Sequence, residues 1–412
     1  MQELNSTIRP VSLSERILSL DVLRGFAVLG ILLMNIQNFA MIEAAYINPT
    51  AYGDLTGANK WVWIFSHVFG DQKFLSIFSI LFGAGVLLFT DKAETKGRSG
   101  AALHYRRTLW LLIIGLAHAY LLWHGDILVT YALCAVLLFL FRKKSPKTLL
   151  ILGILVLSFS SLFYLFGGLS MPYWPKEAYD GTMLSWMPPQ EMIDKELAAY
   201  QGGWLSQMEH RVPSSLKFQT MIFLMYTGWR AGGLMLIGLA FYKWGVLTAQ
   251  RSKKFYTVMA ALGLALGLPT VIFGVIRNFA EGWTMDYSMF LGWQFNYWGS
   301  VFIAIGYIAL IMLFCQSAVG AKIKNTFAAV GRMALSNYLL QTILCTTVFY
   351  GHGLGLFGRT ERVWQLVIIL CVWAIQLVIS PIWLRYFKFG PAEWLWRSLT
   401  YWKLQPMKIT RS

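Results

Sequence analysis

Charge is scarce in this chain and acid scarcer still: 13% of its 412 residues are charged, with 35 Lys and Arg against only 19 Asp and Glu. A soluble globular surface, normally about a quarter charged, is excluded on that ground. Cysteine is almost missing. Cys134, Cys315, Cys345 and Cys371 each sit in an apolar run without paired spacing, so neither a disulfide framework nor a zinc site is expected, and they read as small core residues. No thiol and histidine cluster has metal-ligand spacing. The glycine-rich stretches LFGAG and GHGLGLFG follow no strand, which removes a dinucleotide loop and leaves close helix packing and a turn. No internal repeat is visible. The first apolar stretch has no small-residue cleavage site after it and reads as an uncleaved first span.

What is present is apolar: 57% hydrophobic and 16% aromatic residues. A bilayer core of about 30 Å needs about 20 apolar residues per helix, and such runs recur along the chain. The predicted fold is all-α, a polytopic integral membrane bundle of about ten spans. These are Ile17–Ala40, Phe74–Thr90, Leu109–Trp123, Ile127–Phe141, Leu149–Gly168, Phe218–Tyr242, Phe255–Gly274, Phe290–Cys315, Thr326–Tyr350 and Trp364–Leu384. The second span is open to starting nearer Trp61, and the sixth to an interfacial piece before it. The chain reads as one transmembrane domain, 1–412, with an external loop at 169–217 and an interfacial tail at 385–412. The loop is proline-bearing and holds a polar helical piece around Gln190–Tyr200, able to cap an external cavity.

Ten spans place both termini on one side. Loops on that side carry 23 Lys and Arg, Arg9, Arg16 and Arg411 among them, and the opposite loops carry nine, so both termini are expected in the cytoplasm of a bacterial inner-membrane protein. The net charge of +16 is then topology and attraction to the lipid bilayer, and no nucleic-acid partner is expected. Three cations remain inside spans: Arg24, Arg230 and Arg332.

Those three direct attention to the polar groups in lipid. In the first span Asp21, Arg24, Val28, Ile31, Asn35 and Asn38 share a face, with Asp21 and Arg24 spaced to neutralise each other. In the ninth, Arg332 lies about two turns in, and Asn337 and Gln341 face together further out. Each set reads either as packing glue or as a lining; Arg24 and Arg332 both suit an anionic ligand's phosphates. Arg230, in the outer half, pairs with Asp126 or snorkels outward.

The segment GLAHAYLLWHGDIL forms a predicted hairpin at the external face: Gly125 allows the turn, Asp126 starts the fourth span, and His118 lies deep. Asp126 is a helix cap or an acid, and His118 a hydrogen-bonded core residue or a general base. His124 sits at the interface. His67 and Asp71, four apart, are a second acid/base pair. His104, His210 and His352 read as solvated surface groups.

These residues carry a resemblance. The stretches SLDVLRGFAVLGI, FSILFGAG, GLAHAYLLWHGDILVTYAL, SNYLLQTILCTTVFYGHGLGLFG and FKFGPAEWLWRSLTYW resemble the bacterial YeiB-like family of membrane proteins of unknown function. That family is distantly similar to the transmembrane acyltransferases, including the lysosomal heparan-alpha-glucosaminide acetyltransferase. The heparan-type enzymes place a catalytic histidine between helices one and two, where this chain has only His67. The resemblance implies an acyltransferase using cytoplasmic acyl-CoA (acetyl-CoA) as co-substrate, with no tightly bound cofactor, and a glycan or lipid acceptor outside. On that reading Arg24 and Arg332 hold the CoA phosphates and Asn35 and Asn38 line the acyl path. His118, Asp126 and His67 supply the acid and base, while His124, Arg230, Asn337 and Gln341 face substrate. A proton-coupled transporter working through His118 and Asp126 uses the same groups, and a membrane scaffold uses none of them. A homo-oligomer is left open.

Overall fold

The computed structural model describes residues 17–409; Arg9, Arg16 and Arg411 lie outside them. It is helical throughout, and among the described residues the only β pairing is one isolated bridge between Phe387 and Lys408. In chain order the helices are α1 (Leu18–Ala40), α2 (Glu43–Ile47), α3 (Gly57–Phe69), α4 (Lys73–Glu94), α5 (Gly100–Leu121) and α6 (Leu128–Phe141). Next come α7 (Pro146–Ser170), α8 (Lys176–Trp186), α9 (Gln190–Gln201), α10 (Trp204–Lys217), α11 (Gly228–Lys243) and α12 (Lys253–Ala280). The last six are α13 (Met285–Tyr287), α14 (Trp293–Gln316), α15 (Ala321–Arg332), α16 (Ala334–Phe349), α17 (Arg362–Tyr386) and α18 (Pro391–Tyr401). A π-helical stretch, Phe218–Thr227, joins α10 to α11.

Among the described residues, seven segments are long and apolar enough to cross a membrane: Leu18–Ala40, Gly57–Glu94, Pro146–Tyr173, Trp204–Lys243, Lys253–Ala280, Met285–Gln316 and Arg362–Tyr386. Three of the ten predicted spans fall short of that standard for separate reasons. The third predicted span lies in α5, whose first half carries His104, Arg106 and Arg107; α6 has only 14 residues. The ninth predicted span is not one helix. It breaks at Met333 into α15 and α16, so Arg332 ends a 12-residue helix instead of lying two turns inside a long one.

The helix α1 is the centre of the bundle: 83% of its most apolar window is buried, against 22% for α17 at the rim. In lipid no hydrophobic force draws helices together, so close backbone packing has to do it. Two glycines allow that approach. A Cβ on Gly25 would stand 2.0 Å from the Phe327 carbonyl oxygen, and one on Gly331 would stand 1.9 Å from the Asp21 carbonyl oxygen. The α1 and α15 backbones therefore touch where the sequence has Arg24-Gly25 on one and Gly331-Arg332 on the other. Polar side chains complete the packing: Gln341 Nε2–H donates to Val28 O (2.9 Å) and Gln376 Oε1 (3.0 Å), and Asn337 Nδ2–H donates to Val330 O (3.0 Å) and Ser380 Oγ (3.0 Å).

Several cations assigned to loops are buried. Arg362 donates to the carbonyls of Asp54, Pro49 and Tyr52; Arg211 to Leu121 O; and Lys73 to His67 O. Backbone oxygens replace the hydration these groups lose. Of the four cysteines, all unpaired, only Cys345 is fully buried, and Cys371 is exposed on α17 instead of in the core.

Replacing Gly331 by leucine is expected to force the α1 and α15 backbones apart at a cost of about 2 kcal/mol or more. A lower Tm of the detergent-solubilised protein reads that loss; Gly181→Ala, with open space around its Cβ, should leave Tm near the wild-type value.

Candidate functional site

The α5–α6 hairpin builds the first part of the site. Asp126 caps α6, its Oδ2 accepting the Val129 N–H at 2.8 Å, while its Oδ1 lies 2.8 Å from His118 Nδ1. A carboxylate only accepts, so Nδ1 carries the proton and Nε2 keeps its lone pair. The Thr342 hydroxyl of α16 donates to that Nε2 at 2.9 Å. All three residues are buried. Thus Asp126 is both cap and histidine partner, and the hydroxyl joins it from 224 residues away. Gly125 is required for close approach and not for a left-handed turn: a Cβ there would strike the Trp123 indole at 2.3 Å.

The second part is a cavity of about 310 Å³ between α1, α4, α5, α6, α15, α16 and α18. Its mouth is cationic, with exposed Lys96 at the edge and Arg24, Arg107, Arg332 and Arg397 in the walls. Arg24 NH1 pairs with Asp21 Oδ1 at 2.9 Å, as the spacing predicts. Further in the lining turns apolar, with Val28, Ile31, Phe82, Leu111 and Leu128, and Tyr131 and Tyr338 also face the cavity. The Tyr338 ring packs on His118, centroids 5.1 Å apart. A charged mouth, an apolar neck and a histidine behind one tyrosine suit a ligand with an anionic head and an uncharged reactive tail.

The tail of the chain closes one side of the mouth. Glu393 of α18 accepts the N–H groups of Leu335 (2.7 Å) and Ser336 (3.1 Å) and the Ser336 hydroxyl (2.5 Å), filling the orphan donors at the start of α16. Trp396 Nε1–H donates to Arg107 O at 2.9 Å, and the Arg107 guanidinium lies 4.3 Å above that indole. Packing against α6 corrects His104, expected at a solvated surface. It is buried, donates Nε2–H to Ala135 O at 2.9 Å and stacks on Phe139.

Two other polar clusters stand apart from this cavity. In one, Asp71 accepts from Asn296 Nδ2 (2.7 Å) and Tyr46 Oη (3.1 Å), with His67 Nδ1 3.4 Å away; Lys73 Nζ donates to Asn296 Oδ1 (2.6 Å). Arg230 neither pairs with Asp126 nor snorkels. It is buried and donates to Tyr297 O (2.9 Å), Ser76 Oγ (3.0 Å) and Ser300 Oγ (2.7 Å). In the other, the 169–217 segment folds over the hairpin. Tyr200 Oη lies 3.0 Å from His124 Nδ1, Trp204 Nε1–H donates to Leu121 O (2.8 Å), and Glu196 Oε1 accepts the Glu43 N–H (2.9 Å). His210, assigned to solvent, stands 3.4 Å from Glu196. His352 meets Gln207 Nε2 through its Nδ1 at 3.1 Å.

Of the residues singled out in the sequence, Arg24 and Arg332 meet in the cavity wall and His118 and Asp126 meet each other behind it. Asn35 and Asn38 lie further along α1, outside the lining; Asn38 Oδ1 accepts the Trp123 Nε1–H at 2.9 Å. Asn337 and Gln341 bond neighbouring helices, and His67 belongs to the Asp71 cluster. Thr342, Tyr338, Arg107, Trp396 and Glu393 were not foreseen. Only the Trp and Arg mixture of the tail signalled any of them.

A family described as "Protein of unknown function (DUF418)" matches residues 241–403. "Uncharacterized protein YeiB" of Escherichia coli (strain K12) is 35% identical over 392 residues, covering 94% of this chain and 96% of its own. The chain belongs to the YeiB-like family of membrane proteins of unknown function. "Uncharacterized protein YxaH" of Bacillus subtilis (strain 168) is 31% identical over 422 residues, 98% of each chain. "Uncharacterized 39.9 kDa protein in amylase 3'region" of Bacillus acidopullulyticus is 29% identical over 98% of this chain and 99% of its own. The DUF418 match contains the cavity wall from Gly331 to Tyr401, and the opposite wall, Ile17 to Tyr131, precedes it.

Burial pushes the Glu196 carboxyl up from 4.5 to about 8 and pushes His124 down from 6.5 to about 4. Glu196 therefore binds its proton more tightly folded than unfolded, and its contribution fades as pH rises towards 8; His124 acts oppositely, but only below 6.5. Thermal stability in this family member should decline between pH 6.5 and 8, and Glu196→Gln should flatten that decline in a Tm series across pH.

Proposed function

We propose that the protein is a multi-pass enzyme of the bacterial inner membrane, with ten spans and both termini cytoplasmic. It moves an acyl group, acetyl in the simplest case, from cytoplasmic acyl-CoA to an extracytoplasmic glycan or lipid. The observation that carries this reading is the cavity, cationic at its mouth and apolar inside, that ends at the tyrosine packed on His118. The excess of cations in the loops near Arg107 supports a cytoplasmic mouth.

Arg24, Arg107, Arg332 and Arg397 meet the phosphates of CoA, where planar guanidinium groups bond two oxygens at once. The uncharged pantetheine arm enters the apolar neck and brings the thioester towards Tyr131 and Tyr338. His118 Nε2 is the base, and Asp126 holds the tautomer that leaves its lone pair available. The helices of the 169–217 segment cover the acceptor side. A proton-coupled transporter is the second reading. The buried Asp71, Lys73 and Arg230, which acyl transfer does not use, favour it.

Purified protein should bind labelled acetyl-CoA. Arg24→Gln and Arg332→Gln should each weaken binding about tenfold, and His118→Ala should keep binding but lose transfer to added glycans or lipids. Wild-type protein that neither binds acetyl-CoA nor releases CoA thiol removes the enzyme reading; substrate-driven proton uptake in vesicles would then favour transport.

A further inference from the structure

We propose that Thr342 carries the acyl group in transit: its hydroxyl takes the acyl from the thioester as an ester and then yields it to the acceptor. This rests on the acyl-transfer reading and adds a covalent step to it.

The hydrogen bonding of Thr342 motivates the proposal. A threonine inside an apolar helix usually satisfies its hydroxyl on a carbonyl of the preceding turn. Thr347 of α16 does so, 2.7 Å from Ile343 O. Thr342 keeps that bond only at its long limit, 3.4 Å to Tyr338 O, and makes its shorter contact, 2.9 Å, with His118 Nε2. The hydroxyl is thus committed to an imidazole whose other nitrogen is held by a carboxylate at 2.8 Å, and that carboxylate is fixed by a backbone amide at 2.8 Å. Hydroxyl, base and base-orienting acid in this order are the arrangement that activates an oxygen nucleophile.

Position supports it too. Thr342 lies one helical turn beyond Tyr338, which lines the inner part of the acyl-donor cavity, on the way to the covered side of the hairpin. The Tyr338 side chain stands in the path and must turn aside for the thioester to arrive. A covalent carrier lets the donor leave by the mouth before the acceptor approaches from the other face, so no open passage has to join the two.

The chemistry balances. In the first half, the Thr342 hydroxyl loses its proton to His118 Nε2 as its oxygen bonds the acyl carbon; the carbon–sulfur bond breaks, and CoA leaves as the thiol with the proton returned by His118. In the second half, an acceptor hydroxyl or amine gives its proton to His118 and bonds the acyl carbon. The ester bond to Thr342 then breaks, and the threonine oxygen takes the proton back. Asp126 steadies the imidazolium in both halves.

The test uses full-length protein in detergent with radiolabelled acetyl-CoA and no acceptor, quenched and mapped by peptide mass. The expected result is one acetyl on the Thr342 peptide with matching release of CoA thiol, retained in Thr342→Ser. Thr342→Val, isosteric but without the hydroxyl, should bind acetyl-CoA and elute as wild type, yet lose the label and fall about a hundredfold or more in transfer. Acceptor acetylation by wild type with no label on Thr342, or a label that survives in Thr342→Val, overturns the covalent step while leaving the acyltransferase standing. Absence of acetyl-CoA binding in wild type overturns both.

Discussion

The contact between the backbones of α1 and α15 is the constraint on which the rest depends. It is short because Gly25 and Gly331 have no side chains, and each glycine is a sequence neighbour of an arginine. Arg24 and Arg332 are therefore brought to one wall by the same approach that fixes α1 in the centre. With α1 placed, Val28 and Ile31 form the neck of the cavity and Gln341 reaches across to Val28 O. Helix packing and the shape of the cavity wall are here one arrangement, so the wall cannot be loosened without loosening the bundle.

A second constraint is the solvent. In hydrocarbon a polar group has to find its partner inside the protein. The chain meets that demand in three clusters, around His118, around Asp71 and around Glu196, and each joins segments far apart in sequence. The first lies behind Tyr338, which lines the cavity of about 310 Å³. Arg230 shows the alternative: a fully buried guanidinium held by two hydroxyls and a carbonyl, with an aromatic ring below it, works as a fastener between α4, α11 and α14.

Most of the helices were legible in the sequence because their apolar runs are long, and the central position of the first was suggested by its polar stripe. The break at Met333 was not, since no proline marks it. His118 and Asp126 were each legible as buried polar groups on either side of a short turn, but their pairing was offered only within the acyl-transfer and transporter readings. Thr342 was not legible, because a threonine in an apolar helix looks the same whether it bonds its own backbone or a distant imidazole. His104 misled through its basic neighbours: the residues that enclose it, Ala135 and Phe139, lie on the next helix. The contact between the Glu43 N–H and the Glu196 carboxylate joins residues 153 positions apart, and nothing in the sequence signalled it.

The capping of α16 by Glu393 has an electrostatic consequence. A helix N-terminus beside a cationic mouth is a natural seat for phosphate, and this one is taken by the protein's own carboxylate. An arriving anion is thereby denied backbone amides and must depend on side-chain charge, which salt screens and which single substitutions remove. On the proposed acyl-CoA reading the mouth would recognise how far apart an anion's charges lie, and helix α18 would set that rule.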